Sequence, residues 1–165
     1  MKLTERGTFA FLKVLPTKQR ISVSGIPEGG FVASAKYGSD DLLIDPFTPR
    51  ENQELEIHIS FLTGGLSGSV FDSMGNPAPG ALVTLIPEQS KRDRLDRYLT
   101  RTTDGKGHFE FSNVPAGIYS VFAWDDIPGG AEQSPEFIAP YEERGATAHV
   151  QNGSTENMRL QIISF

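Results

Sequence analysis

The stretch GHFEFSNVPAGIYSVFAWDD, residues 107–126, decides the predicted fold. Side chains alternate between the two faces of a β-strand, so Phe109 and Phe111 share one face while the polar residues around them share the other. The Pro-Ala-Gly segment at residues 115–117 then turns the chain. Beyond this turn the apolar alternate positions resume, at Tyr119, Val121 and Ala123. The stretch therefore predicts a β-hairpin that buries one face of a sheet.

The length and composition agree with an all-β protein that has many turns. A chain of 165 residues can form one large domain or up to two small ones. Its 17 glycines and 11 prolines are spread among many short apolar alternations rather than gathered in one tract. We therefore expect frequent turns between strands rather than disorder.

Charge and apolar pattern argue against two classes of partner. A formal net charge of −6 repels a phosphate backbone, so no nucleic-acid partner is expected. No apolar run approaches the ~20 residues that a membrane-spanning helix requires, so membrane insertion is not expected either. Residues 1–7 contain no apolar signal-peptide core, and localisation cannot be read from targeting. The absence of cysteine excludes disulfides, thiol catalysis and thiolate-bound metals.

Internal similarity predicts two related units. One pattern recurs at an offset of 100 residues, first as Gly7, Phe9, Phe11 and Val14 and then as Gly107, Phe109, Phe111 and Val114. We predict a partial β-unit at residues 1–63, with strands at 7–16 and 18–24, and a complete β-unit at 64–165. Because the first unit starts in the middle of the pattern, we expect the native protein to extend upstream.

The second unit is predicted to be a Greek-key β-sandwich. About seven strands can be counted from Leu66 onward, which is typical of a small sandwich. The charged stretch at residues 88–97 is predicted to be a solvated loop or short helical turn. Residues 134–145 have neither a strand nor a helix period, and we expect them to cross over one sheet.

The second unit also resembles a known family. The resemblance lies in LSGSV at 66–70, Asp72 with Gly75-Asn76-Pro77, GALV at 80–83, Thr103-Asp104, GHFEF at 107–111 and VPAGIYSV at 114–121. These motifs are similar to those of carboxypeptidase regulatory-like domains, which belong to the transthyretin-like (prealbumin-like) sandwiches and are grouped with Cna-B-type repeats and carbohydrate-binding-like modules. The resemblance implies a non-catalytic β-module, repeated or appended in large bacterial proteins, with an extracytoplasmic location in the periplasm or on the cell surface. It implies no activity, because the motifs place turns, core aromatics and strand ends.

The sequence predicts no catalytic residue, no metal site and no cofactor. His58, His108 and His149 fall on separate strands without the His-x-His spacing that metal sites on strands favour. The adjacent Asp125 and Asp126 are too few for calcium, which takes six or more oxygen ligands. No Ser/His/Asp arrangement and no phosphate-binding glycine loop occurs in the sequence.

Aromatic residues on the second face of the stretch are the candidate ligand-binding residues. Phe122 and Trp124 alternate with the core positions, and together with Tyr98 they could form a flat platform that stacks on sugar rings. Alternatively, residues 134–145 cover this face with Phe137, Ile138 and Tyr141. We favour the cover, because exposed apolar patches of this size are uncommon in soluble domains.

Three functions remain open from the sequence. The first is a structural and interaction module of a larger bacterial envelope or exported protein, which contacts other domains of the same protein or protein partners. The second is a carbohydrate-binding module that uses Tyr98, Phe122 and Trp124. The third is a regulatory domain appended to a peptidase.

Overall fold

The computed structural model describes residues 7–11 and 13–164. Residues 1–6, Leu12 and Phe165 lie outside the described residues, so the parts of the predicted units that fall there are not discussed. The chain forms two compact units. One unit contains residues 32–59 with the chain before residue 26, and the other contains residues 26–31 with the chain from residue 60 on. The segment 26–31 thus groups with the second unit, which the sequence pattern did not indicate.

The first unit contains most of one small three-stranded sheet. Its strands are β1 (Phe31–Tyr37), β2 (Asp40–Asp41) and β3 (Leu55–Ser60), in the order β2-β1-β3, and β1 and β2 are antiparallel. The end residues Phe31 and Ser60 group with the second unit. Gly38 has a φ of 64° in the turn between β1 and β2, a conformation that glycine adopts without steric cost. The buried apolar residues of this unit are Ala35, Tyr37 and Leu42. Its core is therefore small.

The strands predicted at residues 7–16 and 18–24 are not formed among the described residues. In the described part of these two stretches, Gln19 forms an isolated bridge with Phe47. Lys13 has a φ of 61°, which interrupts extended backbone, and Phe11 is 54% exposed. The likeness of this region to the stretch at 107–126 therefore does not extend to its conformation. The relation of residues 1–63 to a transthyretin-like unit stays a prediction.

The second unit is a two-layer β-sandwich of seven strands, which confirms the predicted all-β class. A three-stranded sheet has the order β10-β4-β7, and a four-stranded sheet has the order β6-β5-β8-β9. The strands are β4 (Thr63–Phe71), β5 (Leu82–Pro87), β6 (Leu99–Thr102), β7 (His108–Pro115), β8 (Gly117–Trp124), β9 (Ala146–Val150) and β10 (Thr155–Gln161). Helix α1 (Pro135–Ile138) and four 3-10 turns, at Gln89–Lys91, Leu95–Arg97, Ala131–Gln133 and Ala139–Arg144, complete the unit.

The stretch at 107–126 forms its two strands as predicted, but they are not a hairpin. β7 pairs with β4 in one sheet, whereas β8 pairs with β5 and β9 in the other. The Pro115-Ala116-Gly117 corner therefore carries the chain from one layer to the other. Tyr119 fixes this corner, because its hydroxyl donates to the carbonyl oxygen of Pro115 at 2.8 Å. The sequence identifies a turn at this corner, but it does not indicate which sheet the next strand joins.

The core between the two sheets is built from the inward alternate positions. Phe109 and Phe111 of β7 face Tyr119, Val121 and Ala123 of β8, as the alternation predicts. Phe109 fits against β4 because Gly68 has no side chain; a Cβ at residue 68 would lie 2.8 Å from the Phe109 ring. The absence of a side chain at residue 68 therefore makes room for the Phe109 ring on the core face of β4.

Candidate functional site

The predicted aromatic residues lie under a covering segment. Phe122 is 1% exposed and Trp124 is 0% exposed. Their rings stack at a centroid distance of 5.3 Å, and Trp124 also contacts the rings of Phe137 at 5.8 Å and Tyr141 at 5.2 Å. Phe137 and Tyr141 belong to the segment that runs from Ala131 to Arg144, which we call the cover. The cover therefore closes the outer face of the four-stranded sheet around β8.

Tyr98 joins the same cluster from the loop before β6. Its side chain packs against the buried aromatic cluster, and its hydroxyl donates to the carbonyl oxygen of Arg92 at 3.2 Å. Burial raises the pKa of the Tyr98 hydroxyl above its ordinary value. All three predicted residues are thus brought together, but as part of a hydrophobic core.

One hydrogen bond within the cover and one ion pair to the charged loop stabilise it. The hydroxyl of Ser134 accepts a hydrogen bond from the backbone N–H of Phe137 at 3.3 Å and caps helix α1. At the other end Arg92 pairs with Glu142 at 2.6 Å. Under the sheet-facing side of the cover, the indole N–H of Trp124 donates to the hydroxyl of Thr84 at 2.9 Å. The cover is consequently an integrated layer of the fold.

The hypothesis of an exposed aromatic platform therefore requires correction. The platform hypothesis assumed that the second face of β8 is solvated, whereas Ile127, Ile138 and Ile163 fill the space over Phe122 and Trp124. The physical reason is that burying the two large rings has a more favourable free energy than leaving them in water. The cover, which has neither a strand nor a helix period in its sequence, supplies the side chains that bury them. Ligand binding by Tyr98, Phe122 and Trp124 stays a prediction that would need displacement of the cover.

The charged loop at 88–97 is only partly solvated. Arg94 and Arg97 are each 9% exposed, in contrast to the predicted solvated run. Both Nε and Nη2 of Arg94 donate to the carboxylate of Asp96, at 2.8 and 2.7 Å. The guanidinium of Arg97 lies 4.5 Å from the ring centroid of Phe31. Arg97 of this loop therefore packs on Phe31, a contact that the charge pattern alone did not indicate.

The outer face of the three-stranded sheet remains open and polar. The strand register aligns Asn157, Ser67 and Glu110 in one row across the sheet. The next row, two residues along each strand, consists of Arg159, Ser69 and His108. We call these six residues the polar array. Sequence alternation placed His108 and Glu110 on the outer face of β7, but only the register reveals which residues of β4 and β10 stand beside them.

Hydrogen bonds within the polar array fix part of its side chains. Asn157 Nδ2 donates to Ser67 Oγ at 3.1 Å, and Ser69 Oγ lies 2.8 Å from His108 Nδ1. The guanidinium of Arg159 lies 3.8 Å from the ring centroid of Phe71. A shallow depression of about 530 Å³ runs from Asn157 and Ser67 past Glu110 to Arg101 on β6.

The remaining titratable candidates have structural roles. Asp104 accepts hydrogen bonds from the backbone N–H groups of Lys106 and His108, at 2.8 and 2.9 Å, and these bonds hold the pKa of its carboxyl below the ordinary value. Asp72 accepts in the same way from Met74 and Asn76, which lowers its pKa too. Within residues 7–11 and 13–164 no group of three or more His, Asp or Glu side chains is arranged to hold a metal ion.

The sandwich, its covered aromatic face and its corner motifs define a transthyretin-like β-module. A family model described as "carboxypeptidase regulatory-like domain" matches residues 65–161, which is more than half of the chain. The chain therefore belongs to the carboxypeptidase regulatory-like domain family, and the predicted resemblance is confirmed. A search of curated proteins finds no match.

A search of solved structures finds bacterial proteins that are similar to part of this chain. The Bacillus anthracis TIE protein is 22% identical with a TM-score of 0.41, and the match covers 70% of this chain and 20% of that one. BcpA, the major pilin subunit of Bacillus cereus, is 15% identical with a TM-score of 0.39, covering 70% and 35% of the two chains. A carbohydrate-binding candidate from Bacteroides uniformis is 11% identical with a TM-score of 0.37, covering 61% and 41%. The chain thus spans less than half the length of each of these relatives.

The family assignment agrees with a β-sandwich interaction module. In the part of the chain that the structure describes, no helix is long and apolar enough to cross a membrane.

Proposed function

We propose that this chain is a non-catalytic structural and docking module of a larger bacterial protein that works outside the cytoplasm. The observation that carries the proposal is the match of residues 65–161 to the regulatory-like domain family. In that region the prominent aromatic residues pack against one another, and the turn carboxylates of Asp72 and Asp104 hold backbone amides. The sandwich thus offers a rigid body with an accessible polar face.

The first unit supports a place within a larger assembly. Its small core leaves Phe11, Val14 and Leu15 exposed, at 54%, 42% and 69%. Apolar surface of this kind in soluble proteins commonly marks a site of contact with another protein or domain. We therefore expect the partner of this unit to be another domain of the same protein or a protein partner.

Labelling of intact cells tests the proposed location. The full-length gene product is produced in its own host, and intact cells are treated with a membrane-impermeant amine-reactive label. We expect the full-length protein to be labelled while a cytoplasmic marker protein is not. Recovery of the protein unlabelled with the cytoplasmic marker would overturn the location.

A regulatory role beside a peptidase is the second candidate, and the description of the family favours it. Deletion of residues 64–165 from the full-length protein distinguishes the two. A structural module leaves the catalytic rate of any neighbouring peptidase domain unchanged after deletion, whereas a regulatory module changes it. The assay is a peptidase rate measured at equal concentration of both forms.

A further inference from the structure

We propose that the polar array binds a neutral polysaccharide chain. This inference rests on the proposed function, because it names the class of partner that the docking module contacts. The site is distinct from the aromatic cluster, since the array lies on the outer face of the β10-β4-β7 sheet whereas the aromatic cluster lies under the cover of the other sheet.

The hydrogen-bonding groups of the array suit sugar hydroxyls. A sugar hydroxyl donates one hydrogen bond and accepts others, so a site for it needs donors and acceptors side by side. Glu110 supplies a carboxylate that only accepts, and the exposed Arg101 at the end of the depression supplies N–H groups that only donate. Asn157 and Ser67 supply groups of both kinds between them. The depression thus presents hydrogen-bond donors and acceptors close to one another.

The array is held in place by the sheet. Its residues project from three paired strands, and the bonds from Asn157 to Ser67 and between Ser69 and His108 limit side-chain rotation. Such pre-organisation reduces the entropy lost when a ligand binds.

The local charge disfavours an anionic ligand. The charged side chains that line the depression are Arg101, Asp104 and Glu110, so their formal charges sum to −1. Since the whole chain carries a net charge of −6, polyanions such as nucleic acids are repelled. The array also has no exposed apolar side chain that would anchor a hydrophobic peptide. A neutral glycan matches this balance of charge and polarity.

Titration of the intact chain with a panel of neutral oligosaccharides tests the proposal. Cello-, xylo-, manno-, malto- and chito-oligosaccharides are each titrated in a calorimeter against the parent chain and against Glu110→Gln and Asn157→Ala. We expect at least one of them to bind the parent, with binding weakened about tenfold or more in each variant. The control Glu143→Gln changes an exposed carboxylate on the cover by the same chemistry, and we expect it to bind as the parent does.

The sole tryptophan separates the two faces of the sandwich. Trp124 lies in the covered cluster, so occupation of the array leaves its fluorescence unchanged. Quenching of Trp124 by the bound sugar, or binding that both array variants retain, would assign the site to the covered face and overturn the proposal. Absence of binding across the panel, or selective binding of peptides instead, would also overturn it. None of these results affects the cell-labelling test, so failure here and failure of the proposed location are distinguishable.

Discussion

The two outer faces of the sandwich differ although their strands follow the same alternation. The outer face of the four-stranded sheet carries Phe122 and Trp124, and the cover closes over it. The outer face of the three-stranded sheet carries serine, asparagine, histidine and charged side chains, and it stays open. One face therefore contributes to stability, and we propose that the other contributes to recognition.

This difference shows that strand alternation alone does not decide whether an outer face is buried. Alternation indicates that Phe122 and Trp124 share a face, but a distant segment determines whether water reaches them. That segment is residues 131–144, which form short turns and one helical turn rather than a periodic element. The chemistry of each face therefore has to be tested by variants on both.

The largest expected effect is the loss of stability on truncating the covered face. Trp124→Ala removes a fully buried ring that contacts Phe122, Phe137 and Tyr141. We expect the free energy of unfolding to fall by about 3–5 kcal/mol, as measured by chemical denaturation. The matched variant on the open face, Ser67→Ala, should change it by less than about 0.5 kcal/mol. Equal stability of Trp124→Ala and the parent would contradict the burial of this face.

A smaller effect is expected from the buried hydrogen bond beneath the cover. Thr84→Val keeps the shape of the side chain but removes the hydroxyl that accepts from the Trp124 indole N–H. Because both groups are buried, we expect a loss of about 1–3 kcal/mol in the free energy of unfolding. Thr147→Val, at an exposed position of β9, serves as the control. If both valine variants were equally stable, the bond would make no net contribution.

The ion pair between Arg92 and Glu142, at the end of the cover, should contribute less to the free energy of unfolding. Glu142→Gln weakens the contact with Arg92, whose side chain is 20% exposed, while that of Glu142 is 40% exposed. We expect a loss of at most about 1 kcal/mol, which diminishes at high salt because exposed charges are screened. The adjacent exposed Glu143→Gln provides the control in unfolding experiments at low and high salt. A loss independent of salt would indicate a role other than charge.

The smallest expected effect is on the acid sensitivity of the free energy of unfolding, and it involves Asp104 in the turn before β7. The pKa of Asp104 is held below its ordinary value of 3.8, chiefly by hydrogen bonds from the backbone of His108 and Lys106. The carboxylate therefore stabilises the fold fully above the ordinary pKa, and this contribution is lost as the pH falls through the lowered value. We expect Asp104→Asn to flatten the decline of unfolding free energy between about pH 5 and about pH 2. Asp126→Asn, after β8, is the control, and an identical decline in both variants would contradict this assignment.

Much of the sandwich could be predicted because alternation and turn residues are local properties. The strands containing Phe109, Phe111, Tyr119 and Val121 occur where the pattern places them, and these side chains face the core. The pairing of these strands could not be predicted, since Pro115-Ala116-Gly117 permits either a hairpin or a change of sheet. The strands expected before residue 25 were wrong for a related reason. Alternating residues form a strand only when a partner strand supplies a ladder of backbone hydrogen bonds, and in the described part of this region Gln19 forms an isolated bridge with Phe47 instead of a ladder.

The candidate sites differ in the same way. Sequence alternation grouped Phe122 with Trp124, but the contacts of Phe137 and Tyr141 with Trp124 depend on tertiary folding. The polar array was not predicted at all, because its rows come from three strands that are distant in sequence. Register, rather than residue type, brings Asn157 beside Ser67.

The change of sheet at the Pro115-Ala116-Gly117 corner has a consequence for the order of folding. The chain changes layer four times between β4 and β10, and the parallel partner of β4 is β10, the last strand of the second unit. Neither layer can be completed by a local segment, so a ribosome must release almost the whole second unit before β4 gains both neighbours. We therefore expect slow, all-or-none acquisition of structure governed by distant pairings rather than stepwise growth from a nucleus at residues 107–126.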